Sequence, residues 1–161
     1  GQIRRQRQMC IRDRKYTWSQ VYKRTVKFAS ALNKIGVSKG DTVSFLAFNT
    51  PEIFEGHYSV PMTGAVLNTI NIRLDAKTIA YILEHSEAKV LVVDRQLHVE
   101  VKKALNTLKR KIIIIDINDK FADQSKCEQI GELEYESFLN TGDENFDWKM
   151  PEDEWLSLIH I

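Results

Sequence analysis

Residues 89–115 read KVLVVDRQLHVEVKKALNTLKRKIIII, and this stretch decides the fold of the chain. Lys89 to Asp94 is a short, nearly continuous apolar run, and Ile112 to Ile115 is a second one. Between them, from about Gln96 to Leu108, apolar residues recur every three or four positions, which predicts an amphipathic helix. Strands that are apolar on both faces and joined through a helix pair in parallel, with helices covering the sheet. The stretch therefore predicts one strand–helix–strand unit of an α/β protein.

Helix starts and buried strands alternate in the same way toward the N-terminus. Thr17-Trp18-Ser19-Gln20 has the form of a capping box, Thr50-Pro51 places an N-cap before a proline, and Asp75 is a third N-cap. Strands are predicted from Thr42 to Phe48 and from Ala65 to Leu67. The alternation extends the α/β prediction over most of the chain.

The periodic pattern ends after Asp116. Residues 118–131 are polar without a clear period, residues 134–139 fit one or two helical turns, and residues 140–154 read as an acidic loop. We expect this region to be a segment whose packing partner is missing.

The composition is that of one globular domain. The chain has 161 residues, of which 43% are hydrophobic and 28% charged, and this excludes wholesale disorder. No apolar run approaches the roughly 18 residues of a membrane span. Cys10 and Cys127 are too few for a disulfide framework or a four-ligand metal site, so the expected compartment is the cytoplasm.

The two ends of the chain differ from its body. Residues 1–15 carry six basic side chains against one acidic side chain, a net charge of +5, but no aromatic ring to stack a base and no apolar stripe. No nucleic-acid partner is therefore predicted. Met9 to Arg14 (MCIRDR) and Leu156 to Ile161 (LSLIHI) resemble translated sequencing adapters. We interpret residues 1–15 and 156–161 as foreign tails, with a native basic arm as the alternative, and residues 16–155 as the native part.

Chemistry-bearing motifs are absent from the sequence. It contains neither Gly-x-Gly-x-x-Gly nor Gly-x-x-x-x-Gly-Lys-Ser/Thr. His57, His85 and His98 fall on three different predicted helices, with no cysteine or carboxylate at metal-ligand spacing. Asp94 and Asp116 are the two carboxylates that follow predicted strands. Composition and spacing alone therefore predict no catalytic, cofactor-binding or metal-binding residue.

Several strings between Tyr16 and Asp94 nevertheless carry a resemblance to a known family. In order they are YTWSQV (16–21), GVSKGDTV (36–43), NTPE (49–52), GAVLNTINIRL (64–74) and IAYILEHS (79–86). Their order and spacing resemble the opening of the AMP-forming acyl-CoA synthetases, a family of acyl-adenylate-forming ligases. The wording of residues 64–74 is most similar to ligases for medium-chain fatty acids and for 3-methylmercaptopropionate.

The resemblance implies that residues 16–155 are a truncated piece of the large N-terminal domain of an adenylate-forming ligase. It implies a parent enzyme that uses ATP, Mg²⁺ and CoA and activates a small carboxylic acid. In that reaction the carboxylate attacks the α-phosphate of ATP, pyrophosphate leaves, and the CoA thiol then displaces AMP. The resemblance is also compatible with a homodimeric parent.

The same resemblance implies that this part of the family is scaffold. We interpret Asn68, Asn71 and Arg73 as groups that tether the backbone rather than contact a ligand. The family's phosphate loop is expected just after Trp155, so catalytic and cofactor-binding residues are expected to lie outside this chain, and the chain alone is expected to be inactive. The full set of positions that match the family signature is Thr17, Gly64, Asn68, Asn71 and Arg73.

An alternative hypothesis is a self-contained α/β binding or regulatory module without catalysis. A receiver-type module of that kind would need clustered carboxylates at its strand ends to hold a metal. The ligase-fragment hypothesis instead predicts uncovered apolar helix faces and open edge strands, and hence poor solubility.

Overall fold

The computed structural model describes residues 8–11 and 14–149. Most of the basic arm, the closing six residues and the predicted phosphate-loop position beyond Trp155 lie outside the described residues. The helices are α1 (Trp18–Lys34), α2 (Pro51–Met62), α3 (Ala76–His85), α4 (His98–Leu105) and α5 (Tyr135–Leu139). The strands are β1 (Gln8–Ile11), β2 (Arg14–Thr17), β3 (Thr42–Leu46), β4 (Val66–Thr69), β5 (Ala88–Asp94), β6 (Ile113–Ile117) and β7 (Leu133–Glu134).

A parallel sheet of five strands organises the domain. Its strand order is β4-β3-β5-β6-β7, and β1 pairs with β2 in a separate antiparallel hairpin. Val43 lies opposite Val90, and Val90 lies opposite Ile113, so the three most apolar strands form the centre of the sheet. The predicted α/β fold with parallel pairing is confirmed.

Helices cover both faces of this sheet, because successive strand side chains point to opposite faces. Helices α1, α2 and α5 enclose one core, which includes Phe28, Val43, Phe45 and Tyr135. Helices α3 and α4 enclose the other core, which includes Ile79, Leu83, Leu91, Val93 and Val101.

Local capping chemistry sets where the helices begin. The hydroxyl oxygen of Thr17 accepts a hydrogen bond from the Gln20 amide at 3.2 Å, and Gln20 Oε1 accepts one from the Thr17 amide at 2.8 Å. This reciprocal pair is the predicted capping box. Asp75 Oδ1 accepts from the Thr78 amide at 3.0 Å, so the predicted start of α3 is also confirmed.

The expectation that the region after Asp116 lacks a packing partner is wrong for residues 133–139. β7 pairs with β6, and the Tyr135 ring stacks on Phe28 with their centroids 4.6 Å apart. Phe138 meets Phe28 edge-on at 5.6 Å. The helical turns predicted for residues 134–139 are confirmed as α5, whereas β7 has two residues, is too short to show a period and was not predicted.

Substituting Gly56 tests how closely α2 packs on the sheet. A Cβ atom at this position would lie 2.5 Å from Cζ of the buried Phe45 ring and within 3.0 Å of two further ring atoms. We expect Gly56→Ala to lower the free energy of unfolding by about 1 to 3 kcal/mol, the usual cost of overpacking, despite the better helix propensity of alanine. Urea unfolding measures the loss. The exposed neighbour substitution His57→Ala is the control, and equal stability of the two variants would contradict the prediction.

Candidate functional site

The carboxyl ends of the parallel strands meet at one edge of the sheet, where ligand sites of α/β proteins usually form. Two arginines meet acidic and phenolic partners from distant parts of the sequence near this edge. We call this set the two-arginine network. It consists of Arg14, Arg24, Glu52, Glu55, Asp119, Tyr135 and Glu136.

Arg24 connects α1 to both α2 and α5. Its Nε donates to Glu55 Oε1 at 2.5 Å, and its Nη2 donates to Glu136 Oε1 at 2.6 Å. The Tyr135 hydroxyl donates to Glu55 Oε2 at 2.9 Å. The Glu55 side chain is fully buried, so Arg24 neutralises a charge that water does not reach. The guanidinium also lies 5.3 Å from the centre of the Tyr16 ring.

Arg14 connects β2 to α2 and to the segment that follows β6. Its Nη1 donates to Glu52 Oε1 at 2.5 Å, and its Nη2 donates to Asp119 Oδ1 at 3.3 Å. Both carboxylates are buried. Arg14 belongs to the residues that we interpret as a foreign tail; that interpretation stays a prediction, although this side chain packs against the folded domain.

Burial and pairing act against each other on the pKa values of the network. Burial alone would lower the pKa of Arg24, but its hydrogen bonds to Glu136 and Glu55 outweigh burial and raise it. Burial raises the pKa of Glu55, and the hydrogen bonds from Arg24 and Tyr135 offset only part of that rise. Burial raises the pKa of Glu136 too, yet the Arg24 hydrogen bond and charge lower it overall. Burial raises the pKa of Tyr135 well above its usual value, so this phenol is not an activated nucleophile.

A cavity of about 560 Å³ adjoins the network. This volume falls within the range of small-molecule pockets. Its charged groups include Arg14 and Glu52, which already pair with each other. Within the described part of the chain, the lining offers no activated nucleophile beside a base. The remaining walls include Tyr16, Asn118, Lys120, Phe121 and Glu134.

The carboxylates at the strand ends, Asp94 and Asp116, accept hydrogen bonds from backbone amides. Asp94 Oδ1 accepts from the Gln96 amide at 2.9 Å, which caps the turn after β5. Asp116 accepts from the amides of Ile130 and Gly131 at 2.9 and 3.0 Å and from Arg95 Nε at 3.1 Å. Asp116 therefore fixes the connection between β6 and β7, and the two carboxylates do not form the cation site of a receiver-type module.

The residues that match the family signature lie apart from the two-arginine network. Thr17 caps α1, while Gly64 has a φ of +76° in the turn before β4 and its carbonyl accepts from the Gly40 amide at 3.1 Å. Asn68 Nδ2 donates to the hydroxyls of Ser44 and Ser86 at 3.0 and 3.3 Å.

Asn71 and Arg73 lie in the exposed turn that follows β4. Asn71 Oδ1 accepts from the Arg73 amide at 2.9 Å, and the Arg73 residue itself is exposed. Together with Asn68, these residues stay interpreted as scaffold groups.

No helix in residues 14–149 combines the length and the apolar character that crossing a membrane requires. Within residues 14–149, no three His, Cys, Asp or Glu side chains are grouped so that they could hold a metal ion.

Solved structures share this fold. The anthranilate CoA ligase AuaEII, crystallised with anthranoyl-AMP, is similar with a TM-score of 0.78 at 21% identity, over 89% of this chain and 27% of that chain. A benzoate CoA ligase from Burkholderia xenovorans LB400 is similar with a TM-score of 0.71 at 20% identity, over 84% of this chain and 25% of that chain. The sheet and its helices thus have the fold of the N-terminal domain of adenylate-forming ligases.

Sequence comparison identifies the family. An acetate–CoA ligase of Humulus lupulus is 43% identical over 90% of this chain and 27% of its own length. The peroxisomal acetate/butyrate–CoA ligase of Arabidopsis thaliana is 41% identical with the same coverage. The chain therefore spans about a quarter of the length of these relatives. Residues 3–154 match the family described as "AMP-binding enzyme", and the chain belongs to that family.

Proposed function

We propose that this chain is the N-terminal part of an AMP-forming acyl-CoA ligase, an enzyme that activates a carboxylic acid with ATP and transfers the acyl group to CoA. The observation that carries the proposal is the family match over residues 3–154. It agrees with relatives that are named as CoA ligases.

The chemistry explains why ATP is needed. A carboxylate is a poor electrophile because attack would add charge to an anionic centre. In the proposed first step a carboxylate oxygen bonds to the α-phosphorus of ATP, and the bond to pyrophosphate breaks. In the second step the CoA sulfur bonds to the acyl carbon, AMP leaves, and the thiol proton is released.

The described residues do not fit a site for Mg²⁺. Asp94 and Asp116 already accept hydrogen bonds from backbone amides. Among the described residues, no group of side chains could hold a metal ion. Because the family resemblance places the phosphate loop after Trp155, we propose that the Mg²⁺, ATP and CoA sites lie in the part of the parent that follows the described residues. Inactivity of the chain alone follows from this placement.

The identity of the acid is a narrower proposal. The wording of residues 64–74 favours medium-chain fatty acids or 3-methylmercaptopropionate. Relatives carry the names of ligases for acetate, butyrate and trans-cinnamate. A substrate panel should therefore contain acetate, butyrate, octanoate, trans-cinnamate and 3-methylmercaptopropionate.

Pyrophosphate release tests the proposed function. The parent gene is recovered from its source DNA by reading through both ends, and the parent and the 161-residue chain are purified in parallel. We expect the parent to release pyrophosphate with ATP and at least one acid of the panel, and to form the acyl-CoA when CoA is added. We expect the chain alone to match a tag-only control. An inactive parent, or turnover by the chain alone, would contradict the proposal.

Compartment and assembly remain predictions. We propose the cytoplasm, since the sequence shows no framework of disulfides, but three relatives are named as peroxisomal. Fractionation of source cells with antibodies to the chain distinguishes the two compartments. Sedimentation of the purified parent gives its mass in solution and so tests whether it is a homodimer.

A further inference from the structure

A row of aromatic side chains that the other described residues leave exposed runs across the outside of α1 and α2. We call it the α1–α2 aromatic face, and it comprises Trp18, Tyr22, Phe54 and Tyr58. The Trp18, Tyr22 and Tyr58 residues are 48%, 53% and 52% exposed. The Trp18 and Phe54 ring centroids are 6.1 Å apart, and the Phe54 and Tyr58 centroids are 5.3 Å apart. Tyr22 lies one helical turn after Trp18 on α1, so the four rings share one side of the α1–α2 pair.

This surface has the composition of a protein interface. Tyrosine, tryptophan and phenylalanine are enriched where proteins bind one another, and lysine and glutamate are depleted. A groove of about 320 Å³ lies along α2 between Thr50 and Tyr58, and none of its lining residues carries a fixed charge. Lys23, the neighbouring cation on α1, lies 3.7 Å from Glu144. The chemistry fits an apolar polypeptide surface and does not fit a nucleic acid.

The path of the chain indicates which polypeptide this is. After α5 the chain returns to α1, where Phe146 and Trp148 pack against the apolar cluster of Val26, Ala29 and Met62. Trp148 Nε1 donates to the Tyr22 hydroxyl at 3.3 Å. The last described residues therefore lie beside one end of the α1–α2 aromatic face.

We propose that the α1–α2 aromatic face docks the portion of the parent enzyme that follows this chain in sequence. The relatives are long enough to supply that portion, because the chain spans 27% of their length. A tethered segment that starts next to a face meets it at high effective concentration, which favours this occupant over a second copy of the chain. The proposal rests on the proposed function only in assuming a ligase-length parent.

Thiol labelling tests the proposal. Single cysteines are introduced as Tyr58→Cys on the face and Tyr81→Cys on α3, both in a background in which Cys10, Cys127 and every further cysteine of the parent are replaced by serine. Tyr81 is a matched control because it is a tyrosine, is 65% exposed, and lies on a helix that covers the opposite side of the sheet. The rate of maleimide labelling is measured in the 161-residue chain and in the parent, each at low and high protein concentration.

We expect the Tyr58→Cys rate, divided by the Tyr81→Cys rate, to be at least about tenfold lower in the parent than in the chain, as complete burial requires. Equal ratios in chain and parent would overturn the proposal. So would protection of Tyr58→Cys in the chain alone that grows with concentration, since a second copy would then be the occupant. If the 161-residue chain does not fold, the labelling rates of Tyr58→Cys and Tyr81→Cys are compared within the parent alone. Equal rates in the parent would overturn the proposal. Because labelling needs no turnover, an inactive parent would count against the proposed function and not against this face.

Discussion

Replacing Arg24 with methionine is expected to lower the free energy of unfolding of the chain by about 3 to 5 kcal/mol, the usual cost of removing one partner from a buried ion pair. The fully buried Glu55 would keep the Tyr135 hydroxyl and lose its cation. Glu136 would lose its bond to α1, but it is partly exposed and can be hydrated instead. Most of the loss should therefore come from Glu55.

The dependence on pH identifies this cause. Without Arg24, burial should raise the folded-state pKa of Glu55 further, so the folded variant would bind a proton more readily than the unfolded chain. A carboxyl whose folded pKa is raised favours folding at low pH, and that contribution is lost as the pH rises through the folded pKa. The stability deficit of Arg24→Met should thus be larger near about pH 8 than near about pH 5.

Urea unfolding followed by tryptophan fluorescence measures both effects. Lys23→Met is the matched control, because Lys23 is the preceding residue of the same helix, is exposed, and has its nearest carboxylate 3.7 Å away. A control change within about 0.5 kcal/mol is expected for such a surface site. Equal losses for the two variants, or a deficit that does not change with pH, would show that the buried charge of Glu55 is not the cause.

The regular part of the fold was predictable because each element carries its own local signal. The capping box at Thr17 and the N-cap at Asp75 depend on side chains within three residues of each other, so the sequence alone reveals them. The apolar runs in β3, β5 and β6 predict buried parallel strands for the same reason. The strand β7, at the edge of the parallel sheet, has only two residues and gives no such signal.

The two-arginine network was not predicted because its partners are far apart in sequence. Arg24 lies 31 residues from Glu55 and 112 from Glu136, and only the folded sheet brings them together. One local signal was present. Arg24 falls three residues after Val21 and four before Phe28, which places its charge on the apolar face of α1 and calls for a buried counter-ion. Such a signal predicts that a partner exists but does not identify it.

The boundary of the folded domain can be decided at Arg14. If the folded unit starts at Tyr16, as the sequence suggests, Arg14→Met should change stability by no more than about 0.5 kcal/mol, like any surface substitution. The ion pairs of Arg14 give the opposite expectation, because Glu52 and Asp119 are both buried and lie on segments that Arg14 joins. We expect a loss of about 2 to 4 kcal/mol, below that for Arg24 because the second ion pair of Arg14, with Asp119, is longer at 3.3 Å.

Lys15→Met is the control for this measurement, since Lys15 is the next residue and is exposed. The double variant Arg14→Met/Glu52→Gln adds a second readout. If the loss arises from an uncompensated carboxylate at position 52, neutralising Glu52 should recover part of the stability lost in the single variant. No recovery, together with a loss equal to that of Lys15→Met, would place residue 14 outside the folded unit. A large loss with recovery would mean that the fold requires a cation at position 14, whatever the origin of the residues before it.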